Sequence, residues 1–225
     1  GSSLDDADAD DADATDARLR ACVTILSSAW RVHMTESEML GCLNDARLLA
    51  RQLGKPSAVA VAIASFATVP LTIGGRMGEA LKYTEEALGL LNDDTPDADR
   101  ITIEVHNSHT LRAAGRHDQA LKGFERISRL AGGNPQFGRE LSGFSPLCWA
   151  EIFKSATLAN TGKFDEWRTV HSNALQLLRL HNEREMICRA HIEQVLGSYL
   201  ARITFVASDR DLRPIALEAL HAAEA

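Results

Sequence analysis

Apolar residues recur at three-to-four spacing along most of the chain, a pattern that predicts amphipathic helices rather than strands. Met39, Leu40, Leu43, Ala46 and Leu49 form one such face. It follows Thr35-Glu36-Ser37-Glu38, where Thr and Glu stand three apart as a capping box. This predicts a helix from Glu36, after an earlier one over 16–33. Pro56, Pro96 and Pro146 each suit the first turn of a helix, the last two behind Thr95 and Ser145 as N-caps. The stretches that they open run to Gly75, Gly115 and Gly162, residues able to stop a helix. Pro70 should kink its helix between Phe66 and Pro70, because an interior proline lacks the N–H donor. Asn182 to Glu185 reads as a second capping box, opening a helix to about Val206. A shorter helix is expected from Asp211 to Ala223. Gly132 to Ser145 is a long connection and therefore a candidate functional loop.

The helices repeat. Gly75-Arg76 with Ala80-Leu81 lies 40 residues before Gly115-Arg116 with Ala120-Leu121. The inward faces that follow are Ala80, Leu81, Ala87, Leu88 and Leu91 in one repeat, and Ala120, Leu121, Phe124, Ile127 and Leu130 in the next. Trp167, Ala174, Leu175 and Leu178 continue the series after Gly162. The reading is of about ten helices in five antiparallel pairs, with a period near 40. The pattern carried by Gly75, Met77, Ala80 and Ala87, by Gly115, His117, Ala120, Phe124 and Ile127, and by Gly162, Phe164 and Ala174 resembles the tetratricopeptide repeat (TPR). The resemblance covers about residues 16–225. It departs from the family in its longer period, in the missing aromatic of the first helix, and in Trp167 where a small Ala is usual. It implies an all-α, right-handed superhelix, an α-solenoid of about five TPR-like helix pairs. The segment from Gly143 to Glu166 is similar to the C-terminal helical regions of large bacterial regulators. These are the regions that follow an AAA-like ATPase module in class III adenylate/guanylate cyclases and in LuxR-type activators. That likeness implies a fragment of a longer bacterial signalling or transcription regulator, whose cyclase or ATPase residues are not in this sequence.

Composition agrees with packed helices: of 225 residues 45% are hydrophobic and only 5% aromatic. The net charge of −7 sits in the first sixteen residues, where seven Asp and no Lys or Arg occur; the rest holds 24 acids against 24 bases. Residues 1–15 are therefore expected to form an unstructured acidic leader or linker, with 16–225 as the repeat domain. A neutral body disfavours direct nucleic-acid contact and a polybasic membrane patch. No stretch approaches a membrane span, so a cytoplasmic protein is expected. Cys22, Cys42, Cys148 and Cys188 are distant in sequence and read as buried free thiols. Neither Gly54-Lys55-Pro56 nor Gly162-Lys163-Phe164 completes a phosphate loop, and no nucleophile elbow occurs. His106 and His109 stand three apart on one helix, but no second ligand pair accompanies them. The expectation is thus no catalytic residue, no metal and no cofactor.

In a helical-hairpin solenoid, the first helix of each pair lines the concave face where ligands bind. Overlaying the repeats on their terminal glycines brings Arg31, Thr72, Arg112, Ala159 and Arg202 to equivalent groove positions. One turn earlier come Ser28, Val69, His109, Ala156 and Ser198. An arginine row suits bidentate capture of carboxylate or phosphate. Trp149, with Phe153 and Phe144 near the glycine-rich loop, is a candidate platform. The expected ligand-binding residues are therefore Arg31, Thr72, His109, Arg112, Trp149 and Arg202. The expected function is a non-enzymatic protein-interaction and regulatory scaffold that binds a protein, a peptide or a small anion. The alternative is an oligomerisation scaffold for a cyclase-type protein, working as a homodimer.

Overall fold

A computed structural model describes residues 2–205 apart from His33 and Ile73, and every regular element among them is helical. In chain order these are α1 (Ser2–Ser28), a 3₁₀ turn (Ala29–Arg31), α2 (Glu36–Leu53), α3 (Pro56–Phe66) and a π-helical turn (Ala67–Thr72). They continue with α4 (Met77–Gly89), α5 (Asp97–Ala113), α6 (His117–Ala131), α7 (Arg139–Ser142), α8 (Pro146–Asn160), α9 (Phe164–Leu180) and α10 (Arg184–Phe205). The helix expected over Asp211 to Ala223 lies outside the described residues. None of the described helices is long and apolar enough to cross a membrane. The chain groups into two compact units, one of residues 1–116 with 136–146 and the other of residues 117–135 with 147–225. The repeat domain expected over 16–225 spans both.

In the first unit α3 is central, packing on α1, α2, α4 and α5. Ala60, Ala62 and Ala64 alternate with Val61, Ile63 and Ser65, and every residue from Ala60 to Phe66 is buried, because neighbours cover the helix on all sides. Links between alternate helices recur at nearly the same separation. Ser27 bonds Ser65 at 3.0 Å and Lys55 pairs with Asp16 at 2.6 Å, joining α1 to α3 or its start. Arg47 pairs with Glu86 at 2.7 Å and Arg76 with Glu36 at 2.7 Å, joining α2 to α4 or its N-cap. The residues lie 38 to 40 apart, so α1 runs parallel to α3 and α2 to α4, at the spacing read from the glycines.

A buried polar ladder continues this register. The Ser65 hydroxyl is 3.3 Å from His106 Nε2, the Thr68 hydroxyl is 2.9 Å from Nδ1, and the Thr72 and Thr110 hydroxyls are 3.3 Å apart. Phe144, from the segment expected to be a functional loop, sets its ring edge-on to His106 at 5.8 Å. That segment holds the one-turn helix α7, which packs on α1 and α5. Both imidazole nitrogens have hydroxyl partners, so neutral His106 is satisfied without water. Burial depresses its pKa from 6.5 to about 4.

Pro70 sits inside the π-helical turn, where the sequence predicted a kink. On either side of it the hydroxyls of Thr68 and Thr72 donate to the carbonyls of Ala64 and Ala67, each at 3.1 Å. Gly74 N–H then closes on the Pro70 carbonyl at 3.2 Å, so tightly that a Cβ at Gly74 would collide with that oxygen.

Several local expectations are corrected. The leader expected to be unstructured over 1–15 is helical from Ser2 as part of α1. Alanine between the aspartates favours helix, and acidic groups at a helix N-terminus oppose its positive dipole end. Asp16 fixes the junction through Lys55 and Arg20, and the Lys55 hydrogen bond holds its carboxyl below the usual range. The Thr35–Glu38 capping box forms, but Leu40 is 40% exposed while Ala50 is buried, because the stripe follows 39, 43, 46 and 50. The Thr95 hydroxyl accepts the Asn92 N–H at 2.9 Å, leaving Pro96 as the N-cap of α5. Asn182, with φ of 54°, closes α9 in a left-handed conformation, so α10 opens at Arg184.

The second unit packs α9 against α10. The bulk of Trp167 is matched by Gly197 on α10: a Cβ there would lie 2.6 Å from the indole ring. His171 is buried as well, its Nδ1 3.3 Å from the Ser155 hydroxyl. Burial first, and the charge on His191 second, lower its pKa to about 4.

Stability should therefore depend on pH. An unfolded imidazole titrates near 6.5 and the folded His106 and His171 near 4, so between these values the unfolded chain holds the extra protons. Stability is fully present above about pH 6.5 and should fall as pH drops towards 4, by at most ~3 kcal/mol per histidine. Urea unfolding at a series of pH values measures this, and His106→Gln should remove the share belonging to the first unit. Separately, Gly74→Ala should lower stability by roughly 1–3 kcal/mol, read from the same unfolding curves, because the π turn must shift to admit the methyl group.

Candidate functional site

Of the six residues expected to bind ligand, Arg31, Thr72, His109 and Arg112 belong to the first unit and Trp149 and Arg202 to the second. Arg31 is exposed on the 3₁₀ turn, with Nη1 3.4 Å from the Ser28 hydroxyl. His109 and Arg112 are half-buried and three apart on α5, so they share a face. Thr72 is interior: at 7% exposure it bonds the Ala67 carbonyl and Thr110, and faces no open groove. The overlay on Gly75 and Gly115 assumed uniform α-helix. The π turn carries more residues per revolution, which rotates Thr72 away from the position matched to Arg112. Ala159, the fourth member of the row, is buried too.

Trp149 belongs to the second unit, half-buried on α8, with its ring edge-on to Phe153 at 5.3 Å. The Arg189 guanidinium lies 5.5 Å from the Phe153 ring centre and pairs with Glu193 at 2.6 Å. Phe144, grouped with these rings from sequence, packs on His106 within the first unit. Arg202 lies on α10, and its side chain is outside the described residues.

Other groupings were not visible in the sequence. Cys22 and Cys42 face one another between α1 and α2 within hydrogen-bond reach, although twenty positions separate them. Only Cys148 is buried; the other three cysteines are half-buried, which corrects the expectation of four buried thiols. Burial pushes the Cys42 thiol up to about 11, so both groups stay protonated at neutral pH. His106 serves the polar ladder, and no cluster of three His, Cys, Asp or Glu among the described residues could hold a metal ion.

Among the described residues each unit has a cavity open to solvent. One of about 500 Å³ in the second unit is lined by Lys154, Lys163, Glu125, Asp165, Glu166 and apolar neighbours, a mixed set of charges. One of about 300 Å³ in the first unit lies between α2, α3 and α4 and gathers Arg47, Arg51 and Lys55. The four-residue steps of 47, 51 and 55 are the signal that could have found this second cavity, since they line one side of α2 and its exit.

The interior placement of Thr72 has a testable consequence. Thr72→Val should cost about 1–2 kcal/mol in chemical denaturation by orphaning the Thr110 hydroxyl, the response of an interior bond and not of a ligand contact. Against protein-family models, curated proteins and solved structures, the chain has no match.

Proposed function

We propose that this chain is a non-enzymatic interaction and regulatory module, a TPR-like array of helical hairpins within a larger bacterial regulator. It holds a protein segment, a peptide or a small anion on its basic first-helix surface. The observation that carries the reading is the recurrence of interhelical bonds at separations of 38 to 41 through α1, α3 and α5 and through α2 and α4. Stacked hairpins of this kind bury a continuous core while presenting successive helices side by side, the geometry of extended binding surfaces. Arg31, His109 and Arg112 are the members of the sequence row that are exposed or half-buried in the first unit. A guanidinium among them suits a carboxylate or phosphate on the partner.

The test is selection of a random peptide library on the immobilised chain. Arg31→Glu combined with Arg112→Glu should abolish capture of the enriched acidic peptides while far-ultraviolet circular dichroism stays unchanged. Equal capture by wild type and double variant would remove the arginine row from the account.

A homodimeric scaffold is the second reading, favoured by a separate observation. Ile192, Leu196 and Tyr199 recur at helical spacing on α10 and are 45%, 50% and 58% exposed. In this reading Leu196→Glu converts a dimer into a monomer in sedimentation equilibrium. A wild-type chain that is monomeric at every concentration removes the scaffold role.

A further inference from the structure

We propose that the cavity between α2, α3 and α4 binds a small organic carboxylate with an apolar body. Its cations are Arg47 and Arg51 from one side of α2 and Lys55, the N-cap of α3. Its apolar surface is Ala50, Val59 and Leu90. The site shares no residue with the Arg31 and Arg112 row, so either can fail without the other.

The charges in the cavity are unequally satisfied. Arg47 is committed to Glu86 at 2.7 Å, with 28% of its side chain exposed. Lys55 is committed to Asp16 at 2.6 Å, a residue on α1 that does not line the cavity. The exposed Arg51 guanidinium has no hydrogen-bond or ion-pair partner among the described residues. Three cations therefore meet two carboxylates, and the unmatched charge is a guanidinium beside an apolar surface. Its planar fork of N–H donors fits the two oxygens of a carboxylate, and a charge-assisted pair beside apolar groups is stronger than one in open water.

The cavity's size and lining narrow the ligand. About 300 Å³ holds a head group with a small ring or short chain, at the lower end of ligand cavities, and is too small for a folded partner. The apolar surface favours a ligand with a hydrophobic body over a bare inorganic ion. Glu86 at the rim repels a second negative charge, which favours a monocarboxylate over a phosphate dianion.

Isothermal calorimetry on the full chain tests this with benzoate as the probe, benzyl alcohol as its uncharged analogue and inorganic phosphate as the bare anion. Wild type should bind benzoate saturably and the other two at least tenfold more weakly. Arg51→Gln should weaken benzoate at least tenfold, and Val59→Phe, which fills the cavity and keeps all three cations, should do the same. Arg168→Gln, which removes an exposed cation paired with Asp165 on α9, should leave benzoate binding unchanged, as should the combined Arg31→Glu and Arg112→Glu variant. Circular dichroism of each variant checks folding, and Val59→Phe carries the test if Arg51→Gln does not fold. The proposal is overturned if wild type shows no saturable benzoate binding, or if phosphate or benzyl alcohol binds as well. It also fails if Arg168→Gln loses as much affinity as Arg51→Gln. A change only in melting temperature on losing Arg51 would make that residue a charge at the end of α2 and nothing more, and would likewise overturn the proposal.

Discussion

A buried imidazole must find partners for both nitrogens, and in the first unit this requirement ties three helices together. His106 meets it with Ser65 and Thr68 from α3 and its π turn, and Ser65 passes the contact on to Ser27 of α1. Every group in the ladder is buried, so each missing bond would cost about 1–3 kcal/mol in desolvation. Apolar packing of Leu19, Val23, Leu26, Ile63, Phe66 and Ile103 drives the association. The ladder contributes register. A slip of one residue along α3 would leave the imidazole unpaired, whereas alanine and valine side chains would tolerate it.

The π turn follows from the same requirement. Pro70 would break a uniform helix, and the wider turn lets the chain absorb the missing donor while keeping Thr68 and Thr72 directed inward. Gly74 admits the turn because no side chain stands in the way of the Pro70 carbonyl. In the second unit the solution to a misfit is different: the large Trp167 is accommodated by Gly197 on the facing helix. In both places a glycine without unusual backbone angles is required by close approach.

How much of this was legible in the sequence depends on the range of the interaction. The Thr35–Glu38 capping box, the inward Ala120, Phe124 and Ile127 of α6 and the inward face of α9 follow from short-range periodicity and are found in the structure, whereas Leu121 and Leu130 of the expected α6 face are only half-buried. The kink at Pro70 was legible as well, but the π geometry it takes was not. That geometry upset the phase of the overlay and put Thr72 inside. Asn182 shows the limit of local chemistry, since the same residue suits an N-cap or a left-handed stop, and the end of α9 decides between them. At the helix from Ser2, alanine propensity and the dipole at a helix start prevail over the like charge that the sequence shows. The ladder and the Cys22–Cys42 pair are long-range, and only packing brings them together. The basic cavity was half legible, with its 47, 51 and 55 spacing in plain view and its walls from α3 and α4 not.

The account is tested most directly at His106. Nitrogen-15 shifts of the imidazole, followed from pH 8 to pH 5.5, should show a neutral ring throughout, with one nitrogen protonated and the other accepting a hydrogen bond. A titration midpoint near 6.5 with the protein still folded would mean a solvated ring, and would contradict the ladder and the interhelical register built on it.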